Sequence, residues 1–356
     1  MKNRIMHLMR HGRGKWIAGA GMLALAFLFF LGWRFLPFSS SGSVPVRPLA
    51  QVPEVKNRHP LIGTPIEAPI ENPFVYAVMI DQSVDAWPQS GVDQAFLVIE
   101  APVEGDIPRW EAFFYEGQSV AKIGPVRSAR PYFVDWVNEL DGLYAHVGGS
   151  DAALKQIVSA GTFDLNQFWN GQYFWRAADR MAPHNVYTSS ALLDKALSRA
   201  RQAGAVQRPV YGIWTFKKDE PSLLENGMVV PFGSNSYKVT WVYDQKANAY
   251  ARTQGAENRS VVPISAKNVV VIEAPISVLD DVGRKEIQTV GEGKARMAQD
   301  GRVIQGTWKK ASVSERIRLY DLSGDEMTMN AGQTWIEVVS SIAPVVTVDQ
   351  SVTTTK

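Results

Sequence analysis

Cysteine is absent from the whole chain of 356 residues. Without it the fold has no disulfide bond, no thiolate nucleophile and no cysteine-based zinc site, and no lipid can be attached through an N-terminal cysteine. Histidine is scarce, with five residues. His146 and His184 have no closely spaced partner of the kind that zinc sites use. The sequence therefore predicts neither a metal site nor a cofactor.

A large net charge of either sign is also missing, because the formal net charge is only +2. Much of this small excess comes from the N-terminal tail, which carries basic side chains and no acidic one. The rest of the chain is near neutral, so no nucleic-acid partner is predicted. The basic residues of the tail are Lys2, Arg4, Arg10, Arg13 and Lys15.

The longest apolar run, Trp16–Trp33, contains no charged side chain and spans about 27 Å as a helix, close to the hydrocarbon thickness of a bilayer. The positive-inside rule places the basic residues before it in the cytoplasm. A cleaved signal peptide is the alternative, but the flank Arg34–Ser43 has no A-x-A cleavage site. We therefore predict a cytoplasmic tail (residues 1–15), a single-pass anchor in the cell membrane (residues 16–36) and an extracytoplasmic remainder.

Segments of different texture follow the predicted anchor. Residues 37–73 hold eight of the 20 prolines together with a serine cluster, which predicts an extended stalk. Residues 74–205 mix strand and helix patterns, residues 206–345 show short alternating runs, and residues 346–356 form a tail. The predicted fold class is α+β, with a mixed α/β domain followed by a β-rich antiparallel domain.

The strongest local patterns predict individual elements. Phe74–Asp81 is a near-continuous apolar run that indicates a buried strand. One helix is predicted to begin after Ser150, a favourable N-cap, and to end at Gly161. In the β-rich domain, Asp300-Gly301 predicts a hairpin, because both central residues of a type I′ turn need positive φ. The predicted helices are Pro131–Leu140, Asp151–Ala160 and Thr188–Ala203.

The segment Ile123–Pro131 (IGPVRSARP) carries the most suggestive polar residues. Arg127 and Arg130 flank the predicted start of a helix, where unpaired backbone N–H groups add positive potential. Guanidinium groups suit carboxylate or phosphate ligands, so the segment predicts an anion site. The alternative is that these arginines form structural ion pairs with Glu100 or Glu104.

Glu104 lies in a turn after a predicted strand, where its carboxyl group can point into a cleft beside an arginine. It is a candidate general acid/base for glycan cleavage, with Asp81 or Asp106 as the second carboxylate. Arg109 and Arg127 would then steady the charge of the substrate. The alternative is a surface or salt-bridged glutamate, because the spacing of carboxylates cannot be read from a sequence.

Two histidines and their neighbours complete the predicted site. His146 ends an apolar strand before Gly-Gly-Ser, and His184 precedes Asn185. Either histidine can act as a base or as a metal ligand at the edge of a sheet. Ser150 and Asn185 are candidate ligand-binding residues. For Ser150 the alternative is a helix cap, since the G-x-S-x-G pattern of hydrolases is missing.

Aromatic residues are concentrated just before Arg176 and Arg180. Exposed rings would stack on sugars, whereas burial in a core is the alternative. The residues are Phe163, Phe168, Trp169, Tyr173, Phe174 and Trp175.

Several motifs are shared with a known family. They include VMID (Val78–Asp81), IGPVRSARP (Ile123–Pro131), H-x-GGS (His146–Ser150), APHN-x-YT (Ala182–Thr188) and GQTW (Gly332–Trp335). Through them the chain resembles the YerB-like family of bacterial envelope proteins, a domain of unknown function. The resemblance covers about residues 60–340 and implies a two-part extracytoplasmic module that is usually tethered as a lipoprotein. Since this chain has no cysteine, a transmembrane span is expected to replace the lipid.

These features predict a membrane-anchored extracytoplasmic protein that binds an anionic cell-wall glycan such as peptidoglycan. Cleavage of the glycan, with a glutamate as acid/base, is an additional activity that these residues allow. The alternative function is a non-enzymatic scaffold that docks cell-wall synthesis proteins of the envelope.

Overall fold

A computed structural model describes residues 57–255 and 263–349 of the protein. The predicted anchor at 16–36 and the first part of the predicted stalk lie outside the described residues. Within the two described ranges, no helix is long and apolar enough to cross a membrane.

The described chain contains three α-helices. All three have their predicted bounds to within two residues. For α2, the Oγ atom of Ser150 accepts a hydrogen bond from Ala153 N–H, and Gly161 ends the helix with a φ of 69°. The helices are α1 (Pro131–Asn138), α2 (Asp151–Ala160) and α3 (Ser190–Gln202).

Strands dominate the rest of the described chain. In the first half they are β1 (Val75–Ile80), β2 (Leu97–Pro102), β3 (Pro108–Tyr115), β4 (Leu143–His146), β5 (Phe163–Asn166), β6 (Trp175–Arg176) and β7 (Val186–Tyr187). In the second half they are β8 (Phe216–Lys217), β9 (Asn226–Val230), β10 (Val239–Asp244), β11 (Ala249–Gln254), β12 (Ser265–Ala266), β13 (Asn268–Glu273), β14 (Ile276–Val278), β15 (Lys285–Ile287), β16 (Gly291–Gln299), β17 (Arg302–Lys310), β18 (Arg318–Asp321), β19 (Met329–Asn330), β20 (Thr334–Val339) and β21 (Val346–Asp349).

One ten-stranded sheet, in the order β18-β17-β16-β13-β20-β2-β3-β1-β4-β5, takes strands from both predicted domains. β20 joins them, because it pairs in parallel with β2 and with β13. The second half is therefore not purely antiparallel, as the alternating pattern had predicted, since alternation fixes the face of a residue and not its partner strand. The β16–β17 hairpin is confirmed, with φ of 53° at Asp300 and 76° at Gly301. The fold is mixed α/β with a large β-rich sheet.

Both faces of the ten-stranded sheet are covered. A five-stranded sheet, in the order β12-β11-β10-β9-β21, and helix α3 pack on one face, and α1 and α2 pack on the other. In β1 the alternate residues Tyr76, Val78 and Ile80 contribute to the first core, and Val75, Ala77 and Met79 contribute to the second. Because both faces are buried, β1 shows the continuous apolar run that the sequence displays.

Glu111 on β3 is fully buried, and neither of its carboxyl oxygens has a hydrogen-bond partner. Burial, followed by the negative charges of Glu139 and Asp135, raises the pKa of Glu111 well above its ordinary value of 4.5. The folded chain thus keeps this proton in a pH range where the unfolded chain releases it. The free energy of unfolding must therefore fall as the pH rises above about 4.5.

We expect Glu111→Leu to raise the free energy of unfolding by about 1–3 kcal/mol at neutral pH, because it removes an unpaired buried polar group. The gain should be smaller near pH 5 than near pH 8, since the native carboxyl is increasingly disfavoured as the pH rises. Denaturant unfolding at the two pH values measures it. The exposed Glu292→Leu is the control, and a gain that does not change with pH would contradict the assignment.

Candidate functional site

Four strands bring the predicted site residues to one edge of the sheet. β1, β4 and β5 are parallel neighbours, and β3 runs antiparallel to both β1 and β2. The carboxyl ends of β1, β2, β4 and β5 therefore meet at the same edge, which is where open α/β sheets bind ligands. We call this the carboxyl edge; it holds Asp81, Glu104, Arg109, Arg127, Arg130, His146 and Asn166.

The arginine-bearing segment crosses this edge between β1 and β4. The N–H group of Arg127 donates to the carbonyl of Met79, and the carbonyl of Arg127 accepts from Val147. Two β-bridges, Ile80 to Val126 and Ala129 to Gly149, hold the segment on either side. The side chains of Arg127 and Arg130 are thereby fixed beside the ends of both strands.

Asp81 is the centre of the most connected polar group on this edge. Its Oδ1 atom accepts hydrogen bonds from the backbone N–H (3.0 Å) and the hydroxyl (2.8 Å) of Ser83. Its Oδ2 atom lies 2.7 Å from Nδ1 of His184 and 3.0 Å from Nε of Arg127. Burial alone would raise the pKa of Asp81, but the Ser83 N–H, Arg127 and His184 together hold it below its ordinary value. The carboxylate is therefore charged at neutral pH.

His184 is oriented by that carboxylate. Since a carboxylate only accepts hydrogen bonds, Nδ1 carries the proton and the neutral ring has a lone pair on Nε2. The imidazole borders a cavity of about 660 Å³. The arrangement is that of a general base presented to a ligand-sized space. The cavity is lined by Asp85, Trp87, Asp179, Arg180, Met181, Ala182 and His184.

The loop that carries His184 is braced from inside. Asn185 donates through its amide nitrogen to the carbonyl of Arg180 (3.2 Å) and accepts at Oδ1 from Arg176 (2.7 Å). Arg180 donates to the carbonyls of Ala86 (2.7 Å) and Pro88 (2.8 Å). Asn185, predicted as a ligand-binding residue, thus has a positioning contact in the structure.

Glu104 forms a separate ion pair on the same edge. Both of its carboxyl oxygens accept from Arg130 at 2.7 Å, and Arg109 adds a nearby positive charge. Burial would raise the pKa of Glu104, but Arg130 outweighs it and holds the pKa below its ordinary value. The structure therefore contains the Arg130–Glu104 ion pair that was the alternative to an anion site. A carboxyl group with a lowered pKa is a poor general acid, because it is already deprotonated at neutral pH.

The charge of Arg109 acts on both the Asp81 group and the Glu104–Arg130 ion pair. It is buried and donates to the carbonyl of Ser128 at 2.9 Å. Burial and the charge of Arg130 lower the pKa of Arg109 to about 10, and Asp81 counteracts this. The guanidinium remains charged at neutral pH, so Arg109, Arg127 and Arg130 form a cationic cluster.

His146 and Ser150 have structural contacts. His146 is fully buried, with Nδ1 2.7 Å from the carbonyl of Gly148 and Nε2 2.8 Å from Asp164. Neither ring nitrogen is left for a substrate. Ser150 caps α2, which is the alternative that the sequence analysis gave for it.

The aromatic stretch divides into buried and exposed rings. Tyr173 and Phe174 belong to the core, whereas Phe168 is 64% exposed and Trp169 is 81% exposed. A side-chain carbon built on Gly148 would lie 2.8 Å from the ring of Phe168, so this ring lies against the carboxyl edge. Trp175 is partly exposed and stacks on Tyr187 with ring centroids 6.1 Å apart. Phe168, Trp169 and Trp175 are therefore at least partly exposed, and Phe168 lies at the carboxyl edge.

Several residues of the site were not anticipated from the sequence, among them Ser83, Asp85, Trp87, Asp179 and, as a cavity residue, Arg180. The Asp-x-Ser spacing of Asp81 and Ser83 is a local signal that could have identified one of them, because such pairs form short side-chain turns. The others come together only through tertiary structure.

Two family models match the chain. The Protein of unknown function (DUF3048) N-terminal domain matches residues 62–204, and the corresponding C-terminal domain matches residues 228–336. The two matches enclose the carboxyl edge and most of the ten-stranded sheet.

A relative in Bacillus subtilis (strain 168), described as "Putative lipoprotein YerB", is 32% identical over 337 residues, which cover 92% of this chain and 96% of the relative. The crystal structure of the YerB protein from Bacillus subtilis superposes with a TM-score of 0.71 at 32% identity, covering 82% of this chain and 99% of that one. The protein belongs to the YerB-like DUF3048 family.

Proposed function

We propose that the protein is an extracytoplasmic, membrane-tethered envelope protein that binds an anionic cell-wall glycan, such as peptidoglycan, at its carboxyl edge. The observation that carries the proposal is the exposure of Phe168 and Trp169 on the loop that follows β5, at the carboxyl edge that also holds Arg109, Arg127 and Arg130. Aromatic faces pack on sugar rings, and guanidinium groups pair with the carboxylates or phosphates of an anionic polymer.

The tether is supported by the relative and by composition together. The Bacillus subtilis relative is described as a lipoprotein, and this chain has no cysteine to carry a lipid. The charge-free run Trp16–Trp33 supplies an anchor of bilayer length, with the basic tail on the cytoplasmic side.

We expect Phe168→Ala combined with Trp169→Ala to weaken binding to purified peptidoglycan about tenfold, because each aromatic contact contributes about 0.5–1.5 kcal/mol. Co-sedimentation of the full chain in detergent with insoluble wall material measures the change. Binding should also weaken as salt is added, since the arginine contacts are screened.

Leu223→Ala is the control, because Leu223 is 88% exposed and does not line the site. Equal binding by the native chain and the double variant would contradict the proposal. Failure of the native chain to sediment with any wall material, while it captures other envelope proteins, would favour the scaffold function instead.

A further inference from the structure

The side chains of His184 and Arg127, beside Asp81, have nitrogens that make no hydrogen bond to other described residues. Nδ1 of His184 and Nε of Arg127 share the Oδ2 atom of Asp81, at 2.7 and 3.0 Å. No hydrogen bond engages Nε2 of His184 or the two terminal nitrogens of Arg127 within the described chain. The side chain of Arg127 is only 27% exposed. One carboxylate oxygen thus fixes an imidazole and a guanidinium side by side, and each group keeps nitrogens that can bind a ligand.

We propose that Asp81, His184 and Arg127 form a hydrolytic centre for phosphodiesters. His184 is the general base, Arg127 binds the phosphoryl oxygens, and Asp81 is the positioning residue that orients both. The choice of substrate rests on the proposed function, because the phosphodiester is taken to belong to a phosphate-bearing anionic glycan bound at the same edge.

The charges around the cavity favour a singly charged phosphoryl group. A guanidinium fork matches two phosphoryl oxygens better than it matches the single oxygen of a carboxylic ester. Asp85 and Asp179 line the cavity, and Arg180 is the cation there. Two carboxylates disfavour a dianionic phosphomonoester, whereas a phosphodiester carries one charge and its sugar or polyol hydroxyls can donate to both carboxylates.

The attacking group is a water molecule. The hydroxyl of Ser83 donates to Asp81 and lies 3.1 Å from Nδ1 of His184, so it faces the nitrogen that is already occupied. Nε2 on the other side of the ring therefore has no protein hydroxyl to activate among the described residues. This contrasts with a nucleophilic serine, whose oxygen must reach the free nitrogen of the base.

The reaction needs only water as the second reactant. Nε2 of His184 takes a proton from water while the water oxygen forms a bond to phosphorus. The bond between phosphorus and the sugar or polyol oxygen breaks, and the leaving oxygen receives the proton back through the imidazolium or solvent. The products are a phosphomonoester and an alcohol. Arg127 neutralises the charge that develops on the phosphoryl oxygens.

The test measures release of 4-nitrophenolate from bis(4-nitrophenyl) phosphate by the full chain in detergent. We expect His184→Gln to lower kcat about 100-fold or more with little change in KM, as loss of a general base does. Arg127→Met should lower kcat and also raise KM, because Arg127 both binds the phosphoryl oxygens and neutralises the charge that develops on them. His59→Gln, at the opposite edge of the sheet beside Tyr115, is the matched control.

Thermal unfolding of each variant separates loss of chemistry from loss of fold. Absence of phosphodiester hydrolysis by the native chain would overturn the inference. It would be overturned equally by a chain that hydrolyses 4-nitrophenyl acetate or 4-nitrophenyl phosphate but not the phosphodiester. Unchanged kcat in a folded His184→Gln variant would overturn it too. Binding of wall material by His184→Gln, measured as above, keeps this outcome separate from the proposed glycan binding, which depends on Phe168 and Trp169.

Discussion

Replacing Glu139 by glutamine is expected to lower the free energy of unfolding by about 3–5 kcal/mol. Glu139 caps the end of α1 and pairs with Lys310 (2.9 Å) and Arg316 (2.7 Å). All three side chains are at most 3% exposed. The substitution leaves two cations in the interior without a counter-charge, and desolvated charges are costly when they are unpaired. Urea unfolding monitored by tryptophan fluorescence measures the effect.

The matched control is Glu116→Gln. Glu116 also pairs with an arginine, Arg201, but the two side chains are 34% and 42% exposed. Exposed pairs contribute about 0–1 kcal/mol because water screens them. A similarly small loss of unfolding free energy in both variants would contradict the conclusion that burial makes the loss of Glu139 costly. Simultaneous replacement of all three members of the buried group by apolar residues should restore much of the stability, since no unpaired charge then remains.

Local signals explain the elements that the sequence predicts well. α2 has the predicted bounds because Ser150 and Gly161 supply both caps. The strands Asn268–Glu273 and Thr334–Val339 lie in the predicted region of short alternating runs. β5 was not predicted, since four residues with mixed burial give too short a pattern.

Long-range pairing could not be predicted in the same way. β2 and β20 are parallel neighbours although their sequences lie more than two hundred positions apart. The contact of Asp81 with His184 spans 103 positions, and nothing local to either residue identifies the other. Similarly, six aromatic residues in one stretch look alike in sequence, and only the tertiary structure decides that Trp169 is exposed and Tyr173 is buried. Local patterns therefore point to single polar residues, whereas the contacts between them follow only from the tertiary structure.

A buried ionic group also joins the two sheets that form the first core. Arg252 on β11 donates to both carboxyl oxygens of Glu100 on β2, at 3.0 and 2.8 Å. Its guanidinium lies over the rings of Trp110 (4.9 Å) and Trp335 (5.1 Å). The side chains of Arg252 and Glu100 are 4% and 0% exposed. The pair thus stands where the five-stranded sheet packs on the ten-stranded sheet.

Glu337 is a second carboxyl group in the same interior. One of its oxygens accepts from Trp241 at 2.8 Å, and the other has no partner. Burial, followed by the negative charge of Glu100, raises the pKa of Glu337 well above its ordinary value of 4.5. One arginine therefore balances Glu100, and burial favours the protonated form of Glu337. By linkage, Glu337 makes the fold less stable as the pH rises above about 4.5.

We expect Arg252→Met to lower the free energy of unfolding by about 3–5 kcal/mol at neutral pH, because methionine fills similar space but leaves the Glu100 carboxylate buried without its cation. Adding Glu100→Gln to the variant should restore stability, because it removes the unpaired buried charge. Urea unfolding of the single and the double variant distinguishes this from simple loss of packing, which the glutamine would not rescue.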